Sequence, residues 1–541
     1  MPQAIKSRPR VVGSRMVYGG LSVWSVALAV VFVTPFGYLI WRSFDLSVTW
    51  SDNFSQAWGP LRNTIFLALS VSVAAAVVAT WLAWMLARTD LPGRRVWSVL
   101  APLPLAFPSF VGAIALLAGF ARGGLIEELL SPFGIASVPR IDGFWGAWAV
   151  LTLFTYPYVY LPVRARLATL PHSLEESARL LGRRPFSVFF SVVLPQSVTA
   201  ISAGSLLVFL YTVSDFGAVA LLRYNTLTRS IFSNRLIDQA TSIAHGLLLA
   251  VLALVVVVAE RRLSSLGSST APPSRLRPAR TVRLGRWRWP AMAAVVGWIG
   301  VALIGPLAVM GFWVVRGIAN RGRITGPLAL SFDNILEPAR NTLSIGLITA
   351  LVAVAAMLPL ARLTARYRSK LGAICSSLVV TGFALPGLVI ALAFSFWVLH
   401  SPLVSFYQSL PLLVLAYSLH FGAQAARVSE TAVETVPRPL EEVSHTLGAK
   451  RVRRFFRVDL PLMSPGLLAG AGLVLLSTMK ELPITLLLHP IGFDTLSIRI
   501  WTAAEELAFA QAGLESLVLV ALSAVLTWFL LVRRVRFWGD V

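Results

Sequence analysis

The chain has 541 residues, of which 56% are hydrophobic and only 13% charged, and 47 Lys and Arg against 24 Asp and Glu give it a formal charge of +23. Soluble domains carry about 25% charged residues, so a water-soluble enzyme is excluded and an all-α polytopic membrane protein in a lipid bilayer is expected. In such a chain the basic excess records orientation first, and no nucleic-acid partner is expected.

A bilayer core of ~30 Å needs about 20 apolar residues per helix. Twelve such runs follow in order: 17–41, 64–87, 97–119, 145–163, 196–222, 241–259, 289–315, 342–361, 373–399, 408–424, 463–488 and 510–532. The fifth and eleventh hold internal charges. The first is long and lacks a small-residue cleavage site, so it reads as an uncleaved span. Lys6, Arg8, Arg10 and Arg15 precede it, whereas 43–61 holds Asp45 and Asp52 and no Lys or Arg. Arg88, Arg94 and Arg95 follow the second run, and Arg533, Arg534 and Arg536 follow the last. This pattern predicts a cell inner (plasma) membrane protein with both termini cytoplasmic. Loop 316–340 is expected outside despite Arg316, Arg321, Arg323 and Arg340. Segment 261–288 is rich in Ser, Pro and Arg and free of acids, which predicts a flexible cytoplasmic linker.

The chain is written twice. LRNTIFLAL (61–69) recurs as ARNTLSIGL (339–347), so that Asn63 matches Asn341 at an offset of 278, and Pro108 matches Pro386 at the same offset. LPHSLEESARLLG (170–182) recurs as VPRPLEEVSHTLG (436–448) at an offset of 266, and SDFGAV (214–219) matches KELPIT (480–485) at that offset too. The drop of twelve falls in the loop 120–145. The expected domains are a first unit, 1–260, the basic linker 261–288, and a second unit, 289–541. Parallel repeats of this kind place a pathway at their interface.

Each unit has one long polar segment between its fourth and fifth runs, 171–195 and 437–461. In the first, Glu176, Ala178 and Gly182 are followed by Leu194 and Pro195; in the second, Glu442, Ser444 and Gly448 are followed by Leu460 and Pro461. The spacing from Glu to Pro is 19 in both. Acids open each segment, a glycine able to take positive φ closes it, and a proline opens the next span. The expected product is a short helix along the membrane surface. The pattern resembles the EAA loop, E-A-A-xxx-G-(x9)-I-x-L-P, of ABC importer permeases of the type I kind, with Val443-Ser444 departing from Ala-Ala. That resemblance implies about twelve transmembrane helices in two six-helix units, and a cytoplasmic ATPase seated on the two loops. The four lysines, Lys6, Lys370, Lys450 and Lys480, never follow a glycine, so no phosphate-binding P-loop exists here. This chain is therefore a transport subunit and not an enzyme, its ATPase partner being a separate dimer.

SDFGAVALL (214–222) and MKELPITLLLHPIGFDTLSIRIW (479–501) extend the likeness to the ferric-iron permeases, from about Asn63 to Trp501. The resemblance implies an inner-membrane subunit that receives iron from a periplasmic binding protein. Thiamine and sulfate permeases share similar units, and the cargo stays open among them. Asp215, Lys480 and Glu481 are ionisable residues within apolar runs, which cost ~2.5–3.5 kcal/mol on insertion scales. Either they line a cation's passage, or they satisfy local backbone near the outer surface. The six histidines are scattered, so no metal site and no cofactor is expected. Asp90-Leu-Pro-Gly93-Arg94-Arg95 matches the D-x-x-G-R-R of major facilitator transporters, but that reading leaves the paired loops unexplained. Alternating access, driven by ATP through the two loops, is the expected mechanism.

Overall fold

A computed structural model of the chain describes residues 15–46, 50–135, 137–170, 172–183, 185–266, 282–320, 330–332, 335–382 and 385–528. The described residues are mainly helical and hold no β-strand, only one isolated bridge. The first half runs α1 (Arg15–Asp45), α2 (Trp50–Arg88), α3 (Arg94–Leu100), α4 (Ser109–Gly119), α5 (Leu125–Leu130), α6 (Gly143–Thr155) and α7 (Pro157–Thr169). It continues through α8 (His172–Leu180), α9 (Pro185–Val188), α10 (Leu194–Ser214), α11 (Gly217–Leu221), α12 (Leu227–Asn234) and α13 (Gln239–Leu266). The second half runs α14 (Arg288–Ile299), α15 (Gly305–Ala319), α16 (Leu336–Ala361), α17 (Lys370–Gly382), α18 (Gly387–Leu399) and α19 (Leu410–Glu434). There follow α20 (Arg438–Thr446), α21 (Arg451–Arg454), α22 (Leu460–Met479), α23 (Pro483–Leu488), α24 (Leu496–Glu505) and α25 (Phe509–Thr527).

From α2 onward the order repeats nearly element for element. Even a five-residue π-turn recurs, at Phe189–Val193 and Phe455–Asp459. Side-chain contacts repeat as well. Thr64 Oγ1 accepts the N–H of Leu227 and Thr342 Oγ1 that of Leu496, both at 2.9 Å. Asn63 donates to the carbonyl of Asn225 and Asn341 to that of Asp494.

Among the described residues the twelve apolar runs fall mainly on helix, but they are not twelve straight spans. Among the described residues, eight helices are long and apolar enough to cross a membrane, or up to ten if each of two bent pairs is one span. The run 97–119 bends by 94° before α4, and 373–399 bends by 98° before α18. Proline explains the first bend: Phe107 and Pro108 are extended, with ψ of 134° and 145°, because a residue before proline is driven out of the helical region. Pro386, with ψ of 142°, stands at the second. The run 145–163 is divided between α6 and α7 at Tyr156, where Pro157 has no N–H to give. Along α19 the apolar character lapses at His420, Gln424 and Arg427, so 408–424 fails as an apolar span. The fifth and eleventh runs stop short, α10 at Ser214 and α22 at Met479, so the internal charges sit at helix breaks.

The chain forms two compact units in space, each drawing on both halves of the sequence. One comprises Met1–Gly37, Ile345–Phe383 and Val414–Thr478 and holds α20. The other comprises Tyr38–Ser344, Ala384–Leu413 and Met479–Val541 and holds α8 together with α4, α11, α18 and α23. Within this second unit α4 packs on α11 and α18 packs on α23. At 11 and 13 residues, α4 and α18 are too short to span a bilayer alone. Both are apolar on every side and buried along most of their length, as a helix enclosed by others must be. Most of the expected linker, residues 267–281, lies outside the described residues.

Candidate functional site

The two polar segments fold alike. In the first, α8 ends at Leu180 and Gly182 takes φ +80°, while Arg183 N–H donates to the carbonyl of Ala178. In the second, α20 ends at Thr446 and Gly448 takes φ +74°, while Ala449 N–H donates to the carbonyl of Ser444. This six-to-one closure needs a left-handed residue, which glycine adopts without penalty. A four-residue helix and the π-turn follow in each, then α10 or α22 with Pro195 or Pro461 in the first turn. Glu176 and Glu442 are exposed, Ala178 is buried and Ser444 half-buried, and Leu194 and Leu460 are half-buried. Leu180, Leu181 and Leu447 are more than four-fifths exposed, so each segment presents bare apolar side chains beside its free acid.

The first segment is tied down by a residue that spacing did not single out. Arg88, fully buried at the end of α2, pairs with Glu175 at 3.3 Å and donates to the Leu167 carbonyl at 2.8 Å. Its counterpart at the repeat offset, Arg366, donates to the Val436 carbonyl at 3.2 Å. The alignment of Arg88 with Arg366 is the signal that could have found the pair.

Behind each segment the repeat keeps a contact and changes its chemistry. Trp84 packs against Phe189 with ring centroids 5.2 Å apart and the rings tilted by 59°. The same two positions in the second half hold Arg362 over the ring of Phe455 at 4.8 Å. Arg362 also pairs at 2.7 Å with buried Asp459, which stands where the first half has Val193.

The three charges within apolar runs come together in one unit. Asp215 follows α10 and caps α11, its Oδ1 accepting the N–H of Ala218 at 3.0 Å and that of Val219 at 3.4 Å. Its Oδ2 accepts from the hydroxyl of Ser109, the first residue of α4. One carboxylate thus joins the Pro108 bend to the break between α10 and α11. In the second half Glu481 Oε1 accepts the N–H of Ile484 in the first turn of α23. Gly387 replaces the serine there, and Glu481 Oε1 lies 2.6 Å from where a Gly387 Cβ would stand. The longer acid fills the space that the serine takes in the first half. Lys480 Nζ donates at 3.1 Å to the Leu105 carbonyl. Asp215 is 7% exposed, while Lys480 and Glu481 are half-buried. Among the described residues no cluster of three His, Cys, Asp or Glu could hold a metal ion.

A family model described as binding-protein-dependent transport system inner membrane component matches residues 77–265 and 357–538. Each match includes one polar segment. The chain is 29% identical to the Fe(3+)-transport system permease protein FbpB 2 of Haemophilus influenzae, over 91% of this chain and 94% of the relative. It is 32% identical to the molybdenum transport system permease protein ModB of Mycobacterium bovis, over 42% of this chain and 88% of that one. Against the sulfate transport system permease protein CysT of Escherichia coli it is 30% identical, over 40% of this chain and 79% of that one.

Proposed function

Since the chain belongs to the binding-protein-dependent transport system inner membrane components, we propose that it is the permease of an ATP-driven importer carrying ferric iron. The family makes it a multi-pass inner-membrane protein that works with a substrate-binding protein and a separate ATPase. Iron is favoured by the two-unit layout. The relative named for Fe(3+) aligns along nearly the whole chain, whereas those named for molybdenum and sulfate align with less than half of it. Half-buried Lys480 is a feature that suits an oxyanion instead.

The observation that carries the mechanism is the duplicated segment with its glycine at φ +80° or +74°. Each segment seats one subunit of an ATPase dimer on the cytoplasmic side, through Glu176, Ala178, Gly182, Leu194 and Pro195 or through Glu442, Ser444, Gly448, Leu460 and Pro461. Both termini are cytoplasmic, and 261–288 links the units 1–260 and 289–541 on that side. ATP binding draws on the docking helices, and the bundles alternate between outward and inward access. Asp215 and Glu481 line the passage and offset a cation's charge, and Lys480 keeps the net local charge low. The assay is uptake by vesicles holding the whole complex, with labelled ferric iron, sulfate or thiamine on the matching binding protein. Iron accumulation that needs ATP is expected; sulfate or thiamine accumulation without iron would reassign the cargo.

A further inference from the structure

The turn after α2 carries Asp90-Leu-Pro-Gly93-Arg94-Arg95, which takes no part in docking or passage. It grips the end of the linker. Thr89 and Val282 form a parallel bridge, in which Val282 N–H donates to the Arg88 carbonyl at 2.8 Å and Asp90 N–H to the Val282 carbonyl at 3.2 Å. Asp90 Oδ1 accepts the N–H of Leu284 at 2.9 Å. The only acid of the motif is therefore engaged by backbone, and Arg94 Nη1 donates to the Thr89 carbonyl at 3.3 Å. Gly93, at φ +65°, turns the chain into α3, and α3 packs on α14. Arg94 and Arg95 open α3; Arg283, Arg286, Trp287, Arg288 and Trp289 lead into and open α14.

Arg94, Arg95, Arg283 and Arg286 are exposed, and so are Trp287 and Trp289, at 63% and 68%. Among the described residues none of these arginines, nor Arg288, stands within ion-pair distance of an acid. One apolar span ends at Arg88 and another begins at Gly285, so the cluster lies at the polar boundary of the bilayer. Guanidinium forks match phosphate oxygens, and tryptophan favours the headgroup level. We propose that this clip is a binding surface for anionic phospholipid headgroups. An acidic protein or a nucleic acid fits less well, because the exposed indoles stand where spans meet the headgroups.

The test reconstitutes the full chain in vesicles of phosphatidylethanolamine and phosphatidylglycerol, extracts it in mild detergent and reads retained lipid by native mass spectrometry. Wild type is expected to retain at least about tenfold more phosphatidylglycerol than Arg94→Gln/Arg95→Gln/Arg283→Gln/Arg286→Gln, with phosphatidylethanolamine alike in both. Asp90→Ala, which keeps every arginine and unties Leu284, is expected to lose part of that retention. Equal phosphatidylglycerol on wild type and the quadruple variant overturns the proposal. Displacement of the lipid by excess inorganic phosphate overturns it too, by making this a site for free phosphate. Should the quadruple variant aggregate, Arg94→Gln/Arg95→Gln and Arg283→Gln/Arg286→Gln are read separately by the same criteria.

Discussion

Glu481 Oε1 lies 2.6 Å from the point a Cβ on Gly387 would occupy, so the glycine is what admits the carboxylate. The matching pair in the first half is Ser109 and Asp215, in which the shorter acid meets a side chain that reaches out to it. In the first half the acid bonds the Pro108 bend to the break before α11; in the second Glu481 bonds to α23 and packs against Gly387, beside the Pro386 bend.

Swapping one pair for the other should therefore work only when both members change. Gly387→Ser alone pushes the carboxylate off Ile484 N–H, and Glu481→Asp alone leaves a gap above the glycine. Each single change is expected to cost about 1–2 kcal/mol. Gly387→Ser/Glu481→Asp should recover most of the loss, measured as the thermal unfolding midpoint of the purified chain in detergent. Additive losses in the double variant would refute the junction.

Asp215→Asn/Glu481→Gln separates charge from capping, since the amide oxygens can still accept the N–H groups of Ala218 and Ile484. Folding should hold while ferric uptake falls at least about tenfold, as expected when intramembrane charges that line a path are removed. Uptake unchanged in this variant would remove the two acids from the passage.

Arg88→Gln leaves the Glu175 carboxylate unpaired beside a buried backbone carbonyl, a loss of about 1–3 kcal/mol that falls on α8, the helix proposed to dock the ATPase. ATPase co-purification should drop, and adding Glu175→Gln should lower it little further, because the two side chains form one contact. Independent, multiplying losses would show that the pair does not anchor α8.

Replacing Asp459 by valine strands both Arg362 and Arg454, which lie 2.7 and 3.5 Å from its Oδ2. Since Arg362 is 25% exposed, the expected cost is about 2 kcal/mol, below that of a fully buried broken pair. Arg362→Trp/Arg454→Val/Asp459→Val copies Trp84, Val188 and Val193 of the first half and should restore the unfolding midpoint. A triple variant no more stable than Asp459→Val would show that the two halves are packed too differently for the exchange.

The two polar segments are legible in the sequence because Glu, Gly and Pro recur at fixed spacing. The glycine takes positive φ and the proline sits in a first turn, whereas Glu176 and Glu442 stand exposed at the middle of α8 and α20, not at a helix start. The twelve apolar runs are legible as helix but not as spans. Hydropathy cannot register a break when residues on both sides stay apolar, as at Phe107–Pro108 and Ser214–Asp215. Asp215, Lys480 and Glu481 stand out as charges, yet their partners, Ser109, Gly387 and the Leu105 carbonyl, are brought to them only by folding. The exchange of Trp84 and Phe189 for Arg362 and Phe455 is hidden for the same reason, since neither pair is adjacent in the chain.

The most direct test of the docking assignment is ATP hydrolysis by the complete complex, stimulated by loaded binding protein, in wild type and in Gly182→Asp/Gly448→Asp. Aspartate at φ near +80° strains both closures and adds a charge to each turn. The expected result is loss of stimulation and of stable assembly while the ATPase subunits keep their basal hydrolysis. Intact assembly with undiminished stimulation would contradict the assignment of these two segments as the seats of the ATPase.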